Sequence, residues 1–210
     1  MAAPALAPLA KVRPFPKERY SDAELVDALT RGDEGALRVI WGRYAKAVRA
    51  TLFAAMGSDT AIDDLTQEVF LGLYRRARQL RNPKALRAYL LGAAVRSAAL
   101  ECRSRARRKR RYGLFALEPE QSTVKLPDIE ERDAVRALQR ILDSIPERPR
   151  MAFLLRYVQD LTPREVADAL EISETTAKRA MARGRERVAR LADREPALRH
   201  YLRERGRQAP

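Results

Sequence analysis

The stretch "LTPREVADALEISETTAKRAMARGRERVARLA", Leu161–Ala192, constrains the fold more than any other part of the chain. Thr162-x-x-Glu165 is a capping box, a hydroxyl and a carboxylate spaced to satisfy the free N–H groups where a helix begins. Pro163 falls at the first helical position, where its missing N–H costs nothing. Val166, Ala167 and Leu170 then form one apolar face. "EIS" reads as a turn, with Ser173 a fitting cap for a second helix. In that helix Ala177, Met181, Gly184, Val188 and Leu191 face inward, while Thr175, Thr176, Lys178, Arg179, Ala182, Arg183 and Arg185 face outward. Two helices joined by so short a turn make a helix-turn-helix, whose second helix can enter a DNA major groove.

Charge separates this reading from that of an ordinary helical hairpin with a basic solvated face. The chain carries 42 basic residues against 28 acidic ones, a net charge of +14, which suggests a polyanionic partner, either nucleic acid or an anionic membrane surface. No apolar run approaches the roughly 20 residues that span a bilayer. The N-terminal "MAAPALAPLAKVRPFP" lacks the charged n-region and continuous apolar core of a secretory signal. One cysteine, Cys102, allows no internal disulfide and fits a reducing compartment, so a cytoplasmic location is expected.

The same census argues against catalysis. The one histidine, His200, and Cys102 cannot make a zinc site of the usual Cys/His kind, and any histidine-based triad would need that tail residue. No glycine-rich phosphate loop occurs. Asp63-Asp64 reads as a solvated helix start. We therefore expect no enzyme activity, no cofactor and no metal site.

Periodicity is helical almost throughout, and no strand pattern is present. Ser21-x-x-Glu24 is a capping box, followed by Leu25, Ala28 and Leu29 on one face. After a break at Gly32-Asp33 a second stripe runs through Leu37, Ile40, Trp41, Tyr44 and Val48. A helix from about Ala61 to Arg78 turns Leu65, Val69 and Leu73 inward. "QLRNPK", Gln79 to Lys84, is a loop, because Pro83 disfavours helical geometry at Asn82. The next helix buries Leu86, Tyr89, Leu90 and Ala93 and ends in the basic run "RSRARRKRR". From Tyr112 to about Asp133 the periodicity lapses among prolines and acids, as in a linker. Val135, Leu138, Leu142 and Ile145, then Phe153, Leu154 and Tyr157, resume the helical pattern. The fold class is all-α, two small helical domains joined by an acidic flexible linker. On α-helical spacing Asp64, Gln67 and Glu68 share one outward side, an acidic-polar patch that suits a basic surface on a second protein better than DNA. A solubilising face is the plainer alternative.

"SIPERPRMAFLLRYVQDLTPREVADALEISETTAKRAMARGRERV" resembles region 4 of extracytoplasmic-function sigma factors of the sigma-70 class, and "DDLTQEVFLGLYRRA", Asp63 to Ala77, resembles their region 2.2. The resemblance covers roughly Ser21 to Ala192. It implies a flexible segment 1–20, region 2 over 21–111, a linker over 112–132, region 4 over 133–192 and a tail over 193–210. The implied function is that of a polymerase subunit that selects promoters and helps open them. The implied partners are core RNA polymerase (clamp and flap) and promoter DNA, with an anti-sigma factor as a further candidate and no membrane insertion. Asp64, Gln67 and Glu68 are then the polymerase-binding residues. Gln79, Arg81, Asn82, Tyr89, Arg96, Arg103 and Arg107 become the candidates for minus-ten DNA. Thr175, Thr176, Lys178, Arg179, Arg183 and Arg185 are the candidates for the minus-thirty-five element. The chain departs from the family where Asn and Asp are usual, at Arg96 and Leu100, where Trp is usual, at Tyr89, and at the region 4 turn, where Glu171 replaces Gly. The residues alone also admit a helix-turn-helix regulator that binds duplex DNA without joining the polymerase; a recombinase lacks a nucleophile constellation.

Overall fold

The computed structural model describes residues 20–57, 61–80, 82–112 and 137–196. The linker assignment therefore lies outside the described residues apart from Tyr112, as do Val135, His200, Arg81 and the N-terminal segment before Tyr20. Every regular element among the described residues is helical. In chain order these are α1 (Asp22–Thr30), α2 (Glu34–Met56), α3 (Ile62–Arg76), α4 (Leu86–Tyr112), α5 (137–143), α6 (Glu147–Phe153), α7 (Pro163–Leu170) and α8 (Glu174–Ala192).

Local chemistry sets most of the boundaries. Both capping boxes form: the Ser21 hydroxyl accepts from the Glu24 N–H and the Thr162 hydroxyl from the Glu165 N–H, each glutamate accepting in return from the cap's own N–H. Asp33 caps α2 by accepting from the Gly35 N–H. α3 ends in a 3-10 turn, Ala77–Gln79, and Asn82 takes the extended geometry that Pro83 demands. One turn of wider π geometry, Leu154–Val158, extends α6, with the Gln159 N–H donating to the Leu154 carbonyl.

The first core joins α1, α2, α3 and one side of α4, through Leu25, Ile40, Leu52, Leu65, Leu73, Leu86 and Leu90. Within it Asp22 ties α1 to α2, accepting from the Arg43 guanidinium at 2.7 Å and from the Tyr44 hydroxyl. Burial, and then the hydrogen bond to Asp22, push the Tyr44 phenol up to about 12. Trp41 corrects the sequence reading: it is 39% exposed, and Ala36 and Val39 hold the buried positions instead. Its ring leans on Phe70, centroids 4.5 Å apart.

α4 is buried on two sides. Leu86, Leu90, Ala94 and Ala98 belong to the first core, whereas Ala88, Leu91, Val95 and Ala99 join a second one with Met151, Leu155, Leu161, Val166 and Ala177. Tyr89 and Ala93, expected in the core, are only half-buried. The helix-turn-helix thus packs against the helix that precedes the linker. No described helix is long and apolar enough to cross a membrane.

Candidate polymerase and promoter interfaces

α3 presents Asp64, Gln67 and Glu68 to solvent, as their spacing requires. Asp63, one residue earlier, pairs instead with Arg49 of α2. The patch is larger than its charged members. Leu71, one turn beyond Gln67 and Glu68, is 47% exposed, and Tyr74, a turn further, is 42% exposed. The two side chains add exposed apolar surface beside the polar group. Sequence reasoning did not single out Leu71 and Tyr74, although the same three- and four-residue spacing places them on the side of Gln67 and Glu68.

Four of the seven minus-ten candidates share one cleft. Gln79, Asn82, Tyr89 and Arg96 line a cavity of about 690 Å³, faced across it by Asp168 and Glu171 of the helix-turn-helix. Gln79 and Asn82 are exposed and Tyr89 is half-buried. Arg96 donates to the Ala169 carbonyl and lies 3.7 Å from the Glu171 carboxylate. Arg103 pairs with Glu147 at the start of α6, while Arg107 points to solvent. Arg81 lies outside the described residues, and Leu100 is 57% exposed on the same helix as Arg96.

In the helix-turn-helix, Pro163 stands at the first turn of α7 and Ser173 caps α8 by accepting from the Thr176 N–H. α7 ends in a Schellman arrangement: the Ile172 N–H donates to the Ala167 carbonyl and the Glu171 N–H to that of Asp168. This demands a left-handed residue, and Glu171 supplies it at φ 56. Ala177, Met181 and Gly184 are buried as expected, with Val188 and Leu191 half-buried. Thr175, Lys178, Arg179, Arg183 and Arg185 are all exposed on α8, and Thr176 is half-buried beside its cap. Lys178 bonds Glu174 at 2.7 Å and holds that carboxyl below its ordinary range. Both partners are exposed, so the pair holds Lys178 only weakly.

The fold is all-helical, with a helix-turn-helix of the DNA-binding kind at its C-terminal side. Comparison with known proteins places it further. Residues 40–110 match the family Sigma-70 region 2, and residues 135–188 match Sigma-70, region 4. The ECF RNA polymerase sigma-E factor of Escherichia coli strain K12 is 27% identical over 180 residues, covering 81% of this chain and 94% of the relative. That of Haemophilus influenzae is likewise 27% identical, over 81% and 95%. Among solved structures, CnrH in complex with the cytosolic domain of CnrY superimposes with a TM-score of 0.61 at 16% identity, covering 83% of this chain and 98% of that one. The sigma factor RpoE with the anti-sigma factor NepR from Bartonella quintana gives 0.58 at 17%, over 74% and 96%. The chain belongs to the sigma-70 family, in its extracytoplasmic-function group, and is an RNA polymerase sigma factor for transcription initiation.

Proposed function

We propose that the described surfaces divide the work of initiation. The α3 patch of Asp64, Gln67 and Glu68, with Leu71 and Tyr74 beside it, docks on the polymerase clamp. The Gln79–Asn82 loop and α4 receive minus-ten DNA, and α8 reads the minus-thirty-five element while region 4 meets the flap. The observation that carries this reading is that one basic protein presents two chemically opposite surfaces, an acidic-polar α3 and a basic α8, which cannot share a partner. The chain acts in the cytoplasm as a non-enzymatic subunit, spending binding energy alone on opening the duplex. An anti-sigma factor is a further partner, as one is for the Bartonella neighbour. Run-off transcription with core polymerase tests the whole reading: promoter-dependent transcripts are expected, and a chain that binds duplex DNA but never assembles with core polymerase would return the reading to a free-standing regulator.

Melting and reading separate by mutation. A flipped base needs a pocket with polar edges; Gln79 and Asn82 line the cleft, and the sequence puts Arg81 between them. Alanine at all three is expected to impair open-complex formation on duplex promoters more than on premelted ones, measured by permanganate footprinting; equal losses would remove the loop from melting. On α8, Arg179 stands early enough to reach a base edge. Arg179→Ala is expected to cost about 1–3 kcal/mol and to relax preference at one base pair. Arg185, farther along, is placed for a phosphate, so Arg185→Ala is expected to weaken all sequences alike and to lower the salt slope by about one unit. Binding to a minus-thirty-five duplex and a scrambled duplex across a salt series distinguishes them. Uniform losses in both variants would mean that α8 grips DNA without reading it.

A further inference from the structure

One stripe of α4 runs outside both cores. On helical spacing Leu100, Ser104, Arg107 and Arg111 follow one another along it, with Ser97 a turn before them. Leu100, Arg107 and Arg111 are exposed and the two serines are half-buried. Arg96 and Arg103 flank the leucine one turn to either side, the first donating to the Ala169 carbonyl and the second pairing with Glu147. The neighbouring acid, Glu101, stands roughly a quarter turn round the helix. It holds Arg105 and Arg108 at 2.8 and 2.9 Å, away from the stripe. Hydroxyls and guanidinium groups thus surround a single apolar side chain.

That side chain is 57% exposed, more than any other large apolar one among the described residues. An exposed leucine is ordinary on a protein surface. Its setting is not, because whatever covers this stripe must be anionic along most of its length and apolar at one point. Duplex DNA has that composition: phosphates for the cations, and in the major groove one apolar group, the 5-methyl of thymine. The family usually carries Asp where this chain has Leu100. A carboxylate accepts from a base amino group, as from that of cytosine, and repels phosphate. A leucine accepts nothing and can only cover a methyl. The exchange therefore changes which base edge this position can meet.

We propose that Leu100 is a specificity-determining residue of the minus-ten surface, covering the 5-methyl group of one thymine while Arg107 and Arg111 hold phosphates farther along the helix. The inference rests on the reading that α4 receives minus-ten DNA. A leucine that instead wedged between base steps would act on any base, with no demand for a methyl.

The test uses the full chain assembled with core RNA polymerase and a duplex library randomised across the minus-ten region. Wild type is expected to enrich a thymine at one position, and Leu100→Ala to lose that preference there alone. Deoxyuridine in place of that thymine removes only the methyl. It is expected to weaken wild-type binding about two- to four-fold and to leave Leu100→Ala unaffected. Leu100→Met, which keeps an apolar reach, is expected to retain most of the deoxyuridine effect. The exposure of Leu100 keeps both variants folded, which circular dichroism checks. A wild type indifferent to deoxyuridine, or equal deoxyuridine losses in wild type and Leu100→Ala, overturns the methyl contact. So does a Leu100→Ala loss of the same size on every sequence, which is the signature of a wedge. In each of these cases the library still yields a minus-ten sequence, so the promoter reading stands and only Leu100 loses its role. A holoenzyme that enriches no minus-ten sequence at all removes the promoter reading, and the role of Leu100 with it.

Discussion

Combined Asp64→Lys, Gln67→Lys and Glu68→Lys substitution is expected to abolish assembly with core RNA polymerase while leaving the chain folded. All three side chains reach solvent, so no core contact is lost. The penalty to folding is confined to the helix start. Asp64 stands in the first turn of α3, where its charge complements the dipole, and a lysine there costs about 0.3–1 kcal/mol. A domain stable by about 5–15 kcal/mol survives that. Binding would have no such margin: on the proposed docking to a basic surface, three lysines turn attraction at Asp64 and Glu68 into repulsion and add a third like charge at Gln67. Co-elution with core polymerase on a sizing column, beside circular dichroism of the free variant, is the measurement. Normal assembly would withdraw the α3 patch from the clamp and leave it a solubilising face.

The second large effect is expected at Gly184. α8 crosses α6 so closely there that a Cβ would lie 2.5 Å from the Pro149 carbonyl oxygen and 2.9 Å from the Phe153 Cβ. Gly184→Leu has nowhere to go, and overpacking of this kind reaches about 3 kcal/mol. Region 4 is expected to lose cooperative folding and minus-thirty-five binding together, while assembly through α3 persists. Gly72 is the control. It lies within α3 with no atom within 4 Å of where a Cβ would stand, so Gly72→Ala is expected to stabilise the chain by about 0.5–1 kcal/mol, the helix preference alone. Urea denaturation of both variants reads the two signs. Destabilisation of similar size at Gly72 would show that glycine spacing along these helices, and not the α6–α8 crossing, sets the cost.

Much of this was legible in the residues alone, for a reason that can be named. Capping boxes act over three residues, proline acts on its immediate neighbour, and a solvent-facing patch on one helix needs only the helical period. Ser21, Thr162, Pro163, Ser173 and the Asp64–Gln67–Glu68 side therefore came out where the sequence put them. Trp41 did not. Its place in an apolar stripe says that it prefers burial, but α3 offered Phe70 to one side of the ring and left the rest to solvent. Leu71 and Tyr74 went unnoticed for a related reason, since an apolar residue left at the surface carries the same pattern as one buried in the core.

By itself the sequence determined the helices, their starts and turns, the sign of each surface and the family, because all of these depend on short-range chemistry or on motifs carried intact. The tertiary structure alone decided that α4 has two buried sides. Ala88, Gly92 and Ala99 are too small to advertise a face, and what makes them an interface is the backbone of Ala169 lying against Gly92 from far along the chain. It also decided the fate of Arg96. A periodicity can place an arginine on a helix, but only the approach of a second helix end, with an unpaired carbonyl and a carboxylate, turns that arginine into a cap.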